Sequence, residues 1–173
     1  MNQIQTAGQQ RYYDFIEDRA KKVRTGMIVW SSLLCLALIS LFHNIVIAVI
    51  LALVGAALAV SNMKSQKELK GKLDAISDKE EFFRQLTSPD VQTAQDGHVL
   101  VAKDYVLTYK TDVHIYCILD MEKVEVGIQG NMKKYLFLTD SQGRRHEIMS
   151  CMRTAEDSAE FDKIYAALKG RLE

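Results

Sequence analysis

The chain contains one proline and nine glycines among 173 residues, which excludes collagen-like and Pro-rich disordered classes. It lacks a surplus of either charge. Lys+Arg and Asp+Glu both number 22, so the formal net charge is zero. A general nucleic-acid binder carries a basic excess, so no nucleic-acid partner is expected. The only cysteines are Cys35, Cys117 and Cys151, with no C-x-x-C pair. His114 and Cys117 are three apart, which on a strand puts them on opposite faces rather than around one metal. All three cysteines are read as small hydrophobes. There is no H-E-x-x-H, no Walker-type glycine loop and no nucleophile elbow, and the four histidines are scattered. No catalytic residue, metal or cofactor is assigned. A chain of this length is also too short for a large multidomain enzyme.

What the chain does have is one very apolar block. Residues 26–63 read GMIVWSSLLCLALISLFHNIVIAVILALVGAALAVSNM, and from Met27 to Val60 His43 is the one side chain able to carry charge. A membrane-spanning helix needs roughly 20 apolar residues. One straight helix over this run would be ~50 Å long, against a hydrocarbon core ~30 Å thick. The block should therefore break once, at the polar pair His43-Asn44. Two helices are predicted, Thr25–Phe42 and Ile45–Met63, joined by a tight turn. Helices apolar on every side do not fit inside the core of so small a soluble protein. A signal peptide is disfavoured because a second apolar run follows at once, with no cleavage-like region between.

The flanks set orientation. Arg19, Lys21, Lys22 and Arg24 precede the block; Lys64, Lys67, Lys70 and Lys72 follow it. The turn has no Lys or Arg, so the positive-inside rule predicts an integral membrane protein with two spans and both termini cytoplasmic. The flanking cations either set this topology alone or also meet anionic headgroups. Ala48, Ala52 and Ala56 recur every four residues, a spacing that lets helices approach closely in lipid. They either close the hairpin on itself or form a helix-packing face for an oligomer or partner. The absence of acidic and basic side chains inside the block argues against transport by this chain alone.

Around the block, the first ten residues are polar and expected to be mobile. Residues 11–24 carry Tyr12, Phe15, Ile16, Arg19 and Val23 on one helical stripe, for either the membrane surface or the cytoplasmic domain. Residues 61–76 extend the second helix. Ser61 and Lys64 have S-x-x-K spacing, which here is chance at the end of an apolar run. Ser77 and Glu80 have capping-box spacing ahead of a short helix at 78–87, ended by Ser88-Pro89-Asp90.

From Val91 the period changes from 3.6 to 2. Weak Val91–Ala94, His98–Ala102, Tyr105–Tyr109, Val113–Leu119, Glu122–Gln129, Tyr135–Thr139 and His146–Cys151 read as about seven strands. Turns are expected at Asp96-Gly97, Gly130-Asn131 and Asp140–Gly143. A final helix follows, with Thr154 and Asp157 at N-capping spacing. Phe161, Ile164, Tyr165, Leu168 and Leu172 form its apolar stripe, suited to plugging the open end of a small antiparallel barrel. The chain thus divides into a polar segment and amphipathic helix (1–24), a transmembrane hairpin (25–63), a helical linker (64–77) and a cytoplasmic domain (78–173).

Three stretches, HVLVAKDYVLTY (98–109), IYCILDMEKVEV (115–126) and YLFLTDSQGRRHEI (135–148), carry a family resemblance. This part of the chain is similar to the pleckstrin-homology-like (PH-like) domains of small bacterial membrane proteins, including the YcxB-like group. The likeness covers roughly residues 78–172, and paired spans upstream fit the same proteins. The chain departs in having Tyr116-Cys117 where the family has a P-Y pair. The resemblance implies an α+β protein with a PH-like barrel capped by a C-terminal helix, resident in a bacterial inner membrane. It implies a scaffold or binding module and carries over no catalytic residue.

Residues 87–173 hold 11 Lys and Arg against 14 Asp and Glu. Lys133, Lys134, Arg144 and Arg145 are the candidate phosphate- or partner-contact residues, on neighbouring loops if the fold holds. Three functions are therefore carried forward. The first is a membrane-anchored adaptor for a protein partner or a second copy. The second is an anionic-lipid sensor using those four cations. The third is a membrane enzyme without a recognisable motif.

Overall fold

The computed structural model describes residues 6–95, 97–129, 133–152 and 155–172, with backbone only at 155 and 156. The fold is α+β. Its elements are α1 (Ala7–Ser40), α2 (Ile45–Asp74), α3 (Lys79–Leu86), β1 (Gln92–Ala94), β2 (Val99–Val101), β3 (Tyr105–Tyr109), β4 (Val113–Cys117), β5 (Met121–Gln129), β6 (Lys133–Asp140), β7 (Arg145–Met152) and α4 (Ala155–Leu172). The chain divides into two compact units, Ile16–Ala75 and the remainder, with the boundary inside α1.

The first of these units is a helical hairpin. No proline interrupts residues 11–40, so the expected amphipathic helix and first span form one helix, with no boundary at residue 24. The break comes at the predicted place. Leu41–His43 form a turn, and the Asn44 side chain caps α2 by accepting from the Val46 N–H at 2.9 Å and the Ile47 N–H at 3.3 Å. The expected extension beyond Met63 is the same helix, which runs on to Asp74.

The inner face of the hairpin follows a 3-4 spacing. On α1, Val23, Gly26, Trp30, Leu33 and Ala37 are buried or half-buried; on α2, so are Ala48, Ala52, Gly55, Ala59 and Asn62. This is the seam periodicity of packed antiparallel helices. Gly55 brings α2 against Leu33 and Leu34. The other faces have no cover. Phe42 is 91% exposed, Leu38 63%, Leu53 67% and Val60 69%. Both helices are long and apolar enough to cross a membrane, and only 6% and 11% of their most apolar windows is buried within the chain.

The other unit starts with a capping box that the sequence reading passed over. The Gln9 N–H donates to Thr6 Oγ1 (3.3 Å) and the Thr6 N–H to Gln9 Oε1 (3.0 Å). The chain is therefore helical from Ala7, within the stretch expected to be mobile; residues 1–5 lie outside the described residues. These first turns pack on α3. Tyr12 is 1% exposed, its ring 5.9 Å from Phe82 and 6.0 Å from Phe83. Gly8 lies over the Phe83 backbone, where a side-chain carbon would clash. Arg11 Nη1 donates to the Leu86 carbonyl at 2.7 Å, satisfying an oxygen that the end of α3 leaves free. The cap of α3 is Asp78, which accepts from the Glu81 N–H at 2.9 Å, rather than Ser77 with Glu80. Starting at Lys79 is what turns Phe82, Gln85 and Leu86 inward.

Among the described residues, seven antiparallel strands form two sheets, ordered β1-β2-β3-β4 and β5-β6-β7. The expected closed barrel is not formed. A 3-10 turn at Ile118–Asp120, with Ile118 buried and Leu119 83% exposed, separates β4 from β5, and among the described residues no ladder joins them. The gap is filled by α4, as its stripe predicted: Phe161, Ile164 and Leu168 are each at most 1% exposed, packed with Val99, Val101, Val106, Leu136 and Leu138. Leu100 pairs with Leu107 on the opposite face of the first sheet, and both are buried. Phe82 stands 5.1 Å from Tyr105 on that face, so α3 covers it.

A bulge in β7 explains one departure from alternation. Leu136 pairs with Met149 and Phe137 with Glu147, which leaves Ile148 as the extra residue, and both Ile148 and Met149 are buried. The turn after β6 needs Gly143 at φ +75°, with its N–H donating to the Asp140 carbonyl at 2.9 Å. The expected Gly130-Asn131 turn, Asp96 of the Asp96-Gly97 turn, and Thr154 as helix cap lie outside the described residues. Phe161→Ala should cost about 3–5 kcal/mol, because it removes the ring that both sheets pack around. Urea unfolding followed by circular dichroism should show the midpoint falling accordingly.

Candidate functional site

The four candidate cations do not form one cluster. Lys133 and Lys134 open β6, whereas Arg144 ends the following turn and Arg145 opens β7. Lys134 lies opposite Cys151, and Thr139 lies opposite Arg145. Five residue steps along β6, from Lys134 to Thr139, thus separate the two pairs, about 17 Å. The reason is hairpin geometry: residues near the turn face each other, and those far from it pair at the other end. Proximity on neighbouring loops is therefore corrected to opposite ends of one hairpin.

Three of the four already have partners. Lys134 Nζ is 3.8 Å from Asp162 and lies 5.6 Å from the Phe161 ring centre. Arg144 Nε donates to Asp140 Oδ2 at 2.8 Å. Arg145 Nε donates to Glu125 Oε2 at 2.9 Å and sits 5.2 Å from the Phe137 ring centre. Lys133 is exposed. Each arginine is committed to a carboxylate, which lowers its capacity to hold a phosphate.

A denser polar arrangement centres on Asp140, which is 5% exposed. Its Oδ1 accepts from the Gln142 and Arg144 N–H groups, both at 2.9 Å. Its Oδ2 meets Arg144 Nε at 2.8 Å and His146 Nε2 at 3.0 Å. His146 above all, then the Arg144 and Gln142 contacts, hold the Asp140 carboxyl well below the usual carboxylate range. Glu125 is pulled down to about 2 by Arg145 first, then by Thr139 and Lys123. The Tyr116 ring lies 5.0 Å from His146 and 5.9 Å from His114, linking β4 to β7 across the gap between sheets. Burial pushes the Tyr116 hydroxyl pKa up.

Beside these rings is a cleft of about 380 Å³ between the β3–β4 turn and β7. Lys110 Nζ donates to Glu147 Oε1 at 2.7 Å along it. Gln95 stands at its edge with φ +53°, an uncommon conformation for a residue with a side chain. Two contacts hold it there: its Nε2 donates to the Ser150 carbonyl at 2.7 Å, and its N–H to Glu160 Oε2 at 3.0 Å. Chemically, the group is a tie rather than a proton-transfer site. Asp140 is saturated with donors, and His146 Nε2 is engaged with it. Among the described residues, no three His, Cys, Asp or Glu side chains are placed to hold a metal.

In the hairpin, the three alanines separate. Ala48 is 2% exposed, Ala52 is half-buried and Ala56 is exposed. The seam turns through Gly55 instead of Ala56, because 3-4 spacing rather than a strict four keeps residues on one face. Of the flanking cations, Arg19 and Lys72 are half-buried, while Lys21, Lys22, Arg24, Lys64, Lys67 and Lys70 are exposed. Lys21 pairs with Glu17 at 2.8 Å and Lys64 with Glu68 at 3.9 Å, both within one helix.

No protein-family model matches the chain, and no curated protein matches its sequence.

Two features escaped the sequence reading. Asp140 was legible as a turn residue, but nothing in the linear order points to the Tyr116 ring beside its partner His146, or to His114 stacked on Tyr116. Asn62, between Ser61 and Lys64, carried no reading from the sequence; its Nδ2 donates to the Val23 carbonyl across the hairpin at 2.8 Å.

Asp140→Asn should destabilise the protein at neutral pH. A depressed folded-state pKa contributes stability that is present above the unfolded value near 3.8 and lost as pH falls through the folded value. Melting scans from pH 7 to pH 2 should show the variant several degrees lower at pH 7, with the gap closing below about pH 4. A constant gap would mean that shape, not charge, is what Asp140 supplies.

Proposed function

We propose that this chain is a membrane-anchored, non-enzymatic binding module. The hairpin crosses the membrane twice, with both termini on the cytoplasmic side of a bacterial inner membrane. The domain after it is of the PH-like type and contacts a protein partner or a second copy. The observation that carries this reading is the outer surface of the hairpin. Nearly every side chain there is apolar and uncovered, and water is a poor solvent for so large a patch. Lipid or another apolar helix is the matching cover, and the basic residues at both flanks match an anionic leaflet.

The PH-like assignment draws on the order of elements. Four antiparallel strands, then three, then one helix whose stripe joins the core, agree with the likeness carried by residues 98–148. Two surfaces suit a partner. The edge strand β5 exposes Val126 (43%) and Ile128 (61%), and an edge strand offers unpaired backbone groups to another chain. On α2, Ala56 lies with exposed Val49, Leu53 and Val60 on the side away from the seam.

The test is extraction followed by cross-linking of the full chain. The protein should resist alkaline carbonate and require detergent. After cross-linking in cells, its mass should correspond to a second copy or to one reproducible companion, and Ile128→Asp or Ala56→Leu should reduce that species. Release by carbonate would overturn the anchor. A bare monomer with no reproducible companion would overturn the module reading.

A further inference from the structure

The sheet edges differ in how they are closed. β1 is three residues long. β4 and β7 face each other through the Tyr116 and His146 rings, 5.0 Å apart, and β7 carries the bulge at Ile148. β5 is the exception. It runs nine residues, pairs with β6 along one side, and has no strand on its other side among the described residues. It contains no proline, and its irregular pairing is confined to Glu122 at the start. From Lys123 to Gln129 it is a regular edge, of the kind that templates a further strand.

The side chains of β5 sort into two rows. Val124 lies opposite Leu138 and Val126 opposite Leu136, so Val124, Val126 and Ile128 take the face toward the core. Val124 packs against that core. Val126 and Ile128 run past it, 43% and 61% exposed. Lys123, Glu125, Gly127 and Gln129 form the other row. The apolar row therefore continues beyond the core, along an edge with open backbone groups. A strand with the same alternation is its complement.

The charge pattern of β5 fits β5 itself. Two copies can pair antiparallel about a two-fold axis normal to the sheet, and the core-side rows stay together only when the axis passes through a residue. Centring on Glu125 would set that carboxylate against its own counterpart. Centring on Val124 would set Glu122 against Val126. Centring on Gly127 pairs only Glu125–Gln129 within the strand. Centring on Val126 pairs the whole regular edge, Lys123–Gln129. Val126 then faces Val126, and Ile128 of each copy faces Val124 of the other. Lys123 faces Gln129, and Glu125 faces Gly127. No like charges are opposed, and Ile128 meets the margin of the other copy's core through Val124.

We propose, resting on the reading of this domain as a binding module, that its partner is a second copy of the chain, joined β5 to β5 with Val126 on the two-fold axis. The two three-stranded sheets then run on as one sheet across both copies.

The test is disulfide trapping in membranes that hold the full chain. Cys35 and Cys117 are replaced by alanine, and buried Cys151 is kept as a common background. Positions 126 and 128 are exposed, so cysteine there leaves the fold intact. Val126→Cys should link into a dimer under mild oxidation, about tenfold above background, because paired positions lie within the roughly 4–7 Å that a disulfide spans. Val124→Cys and Ile128→Cys should each fail alone, standing four residues, ~14 Å, from their own counterparts. Co-expressed, those two chains should link to each other. Without any added cysteine, Val126→Lys should shift the detergent-solubilised protein from dimer to monomer mass. No link at position 126, or links from Val124→Cys and Ile128→Cys alone, would overturn this pairing. If cross-linking in cells still captures a second copy or another companion, only this inference falls. A chain that is monomeric in both assays overturns the module reading as well.

Discussion

The β-containing unit depends on one stripe of α4. Phe161, Ile164 and Leu168 fill the space that two unclosed sheets leave between them. Neither sheet could bury its inner face alone, since a sheet of three or four strands needs a second layer. The helix supplies that layer, and its burial sets where the strands can end. The 3-10 turn at Ile118–Asp120 and the bulge at Ile148 are local adjustments to the same core. Each breaks a ladder or an alternation so that another apolar side chain faces α4.

The opposite face of the first sheet needed a cover too, and the chain draws it from two distant places. α3 brings Phe82, and the first turns of α1 bring Tyr12 onto it. Gly8 permits that approach, and Arg11 completes the carbonyl end of α3. An N-terminal segment that reads as a plain amphipathic stripe is thus part of the β-containing unit. The same helix continues into the hairpin, where its requirement changes. There the inner seam is narrow and made of small residues, while the outer faces stay apolar and bare.

Charge is used mostly to fix geometry. Asp140 orders the β6–β7 turn by gathering two backbone amides and two side chains, and Glu125 gathers Arg145, Thr139 and Lys123. Cations that look available in the linear sequence are consumed in this way.

The linear sequence by itself determined the two apolar helices, the break at His43-Asn44, the seven strands and the stripe of α4. These follow from local rules: period, uncharged length, a capping Asn, turn residues. Tertiary structure decided the rest. It merged two expected helices into α1, because nothing at residue 24 stops a helix. It left the sheets open, with the 3-10 turn at Ile118–Asp120 separating β4 from β5. It placed Lys133 and Lys134 far from Arg144 and Arg145, because a hairpin converts sequence separation into distance along its length. It moved the helix seam from Ala56 to Gly55, and it made Asn62 a bridge. Each of these depends on which side chain lies across from another. Periodicity states which face a residue takes, and only packing states what that face meets.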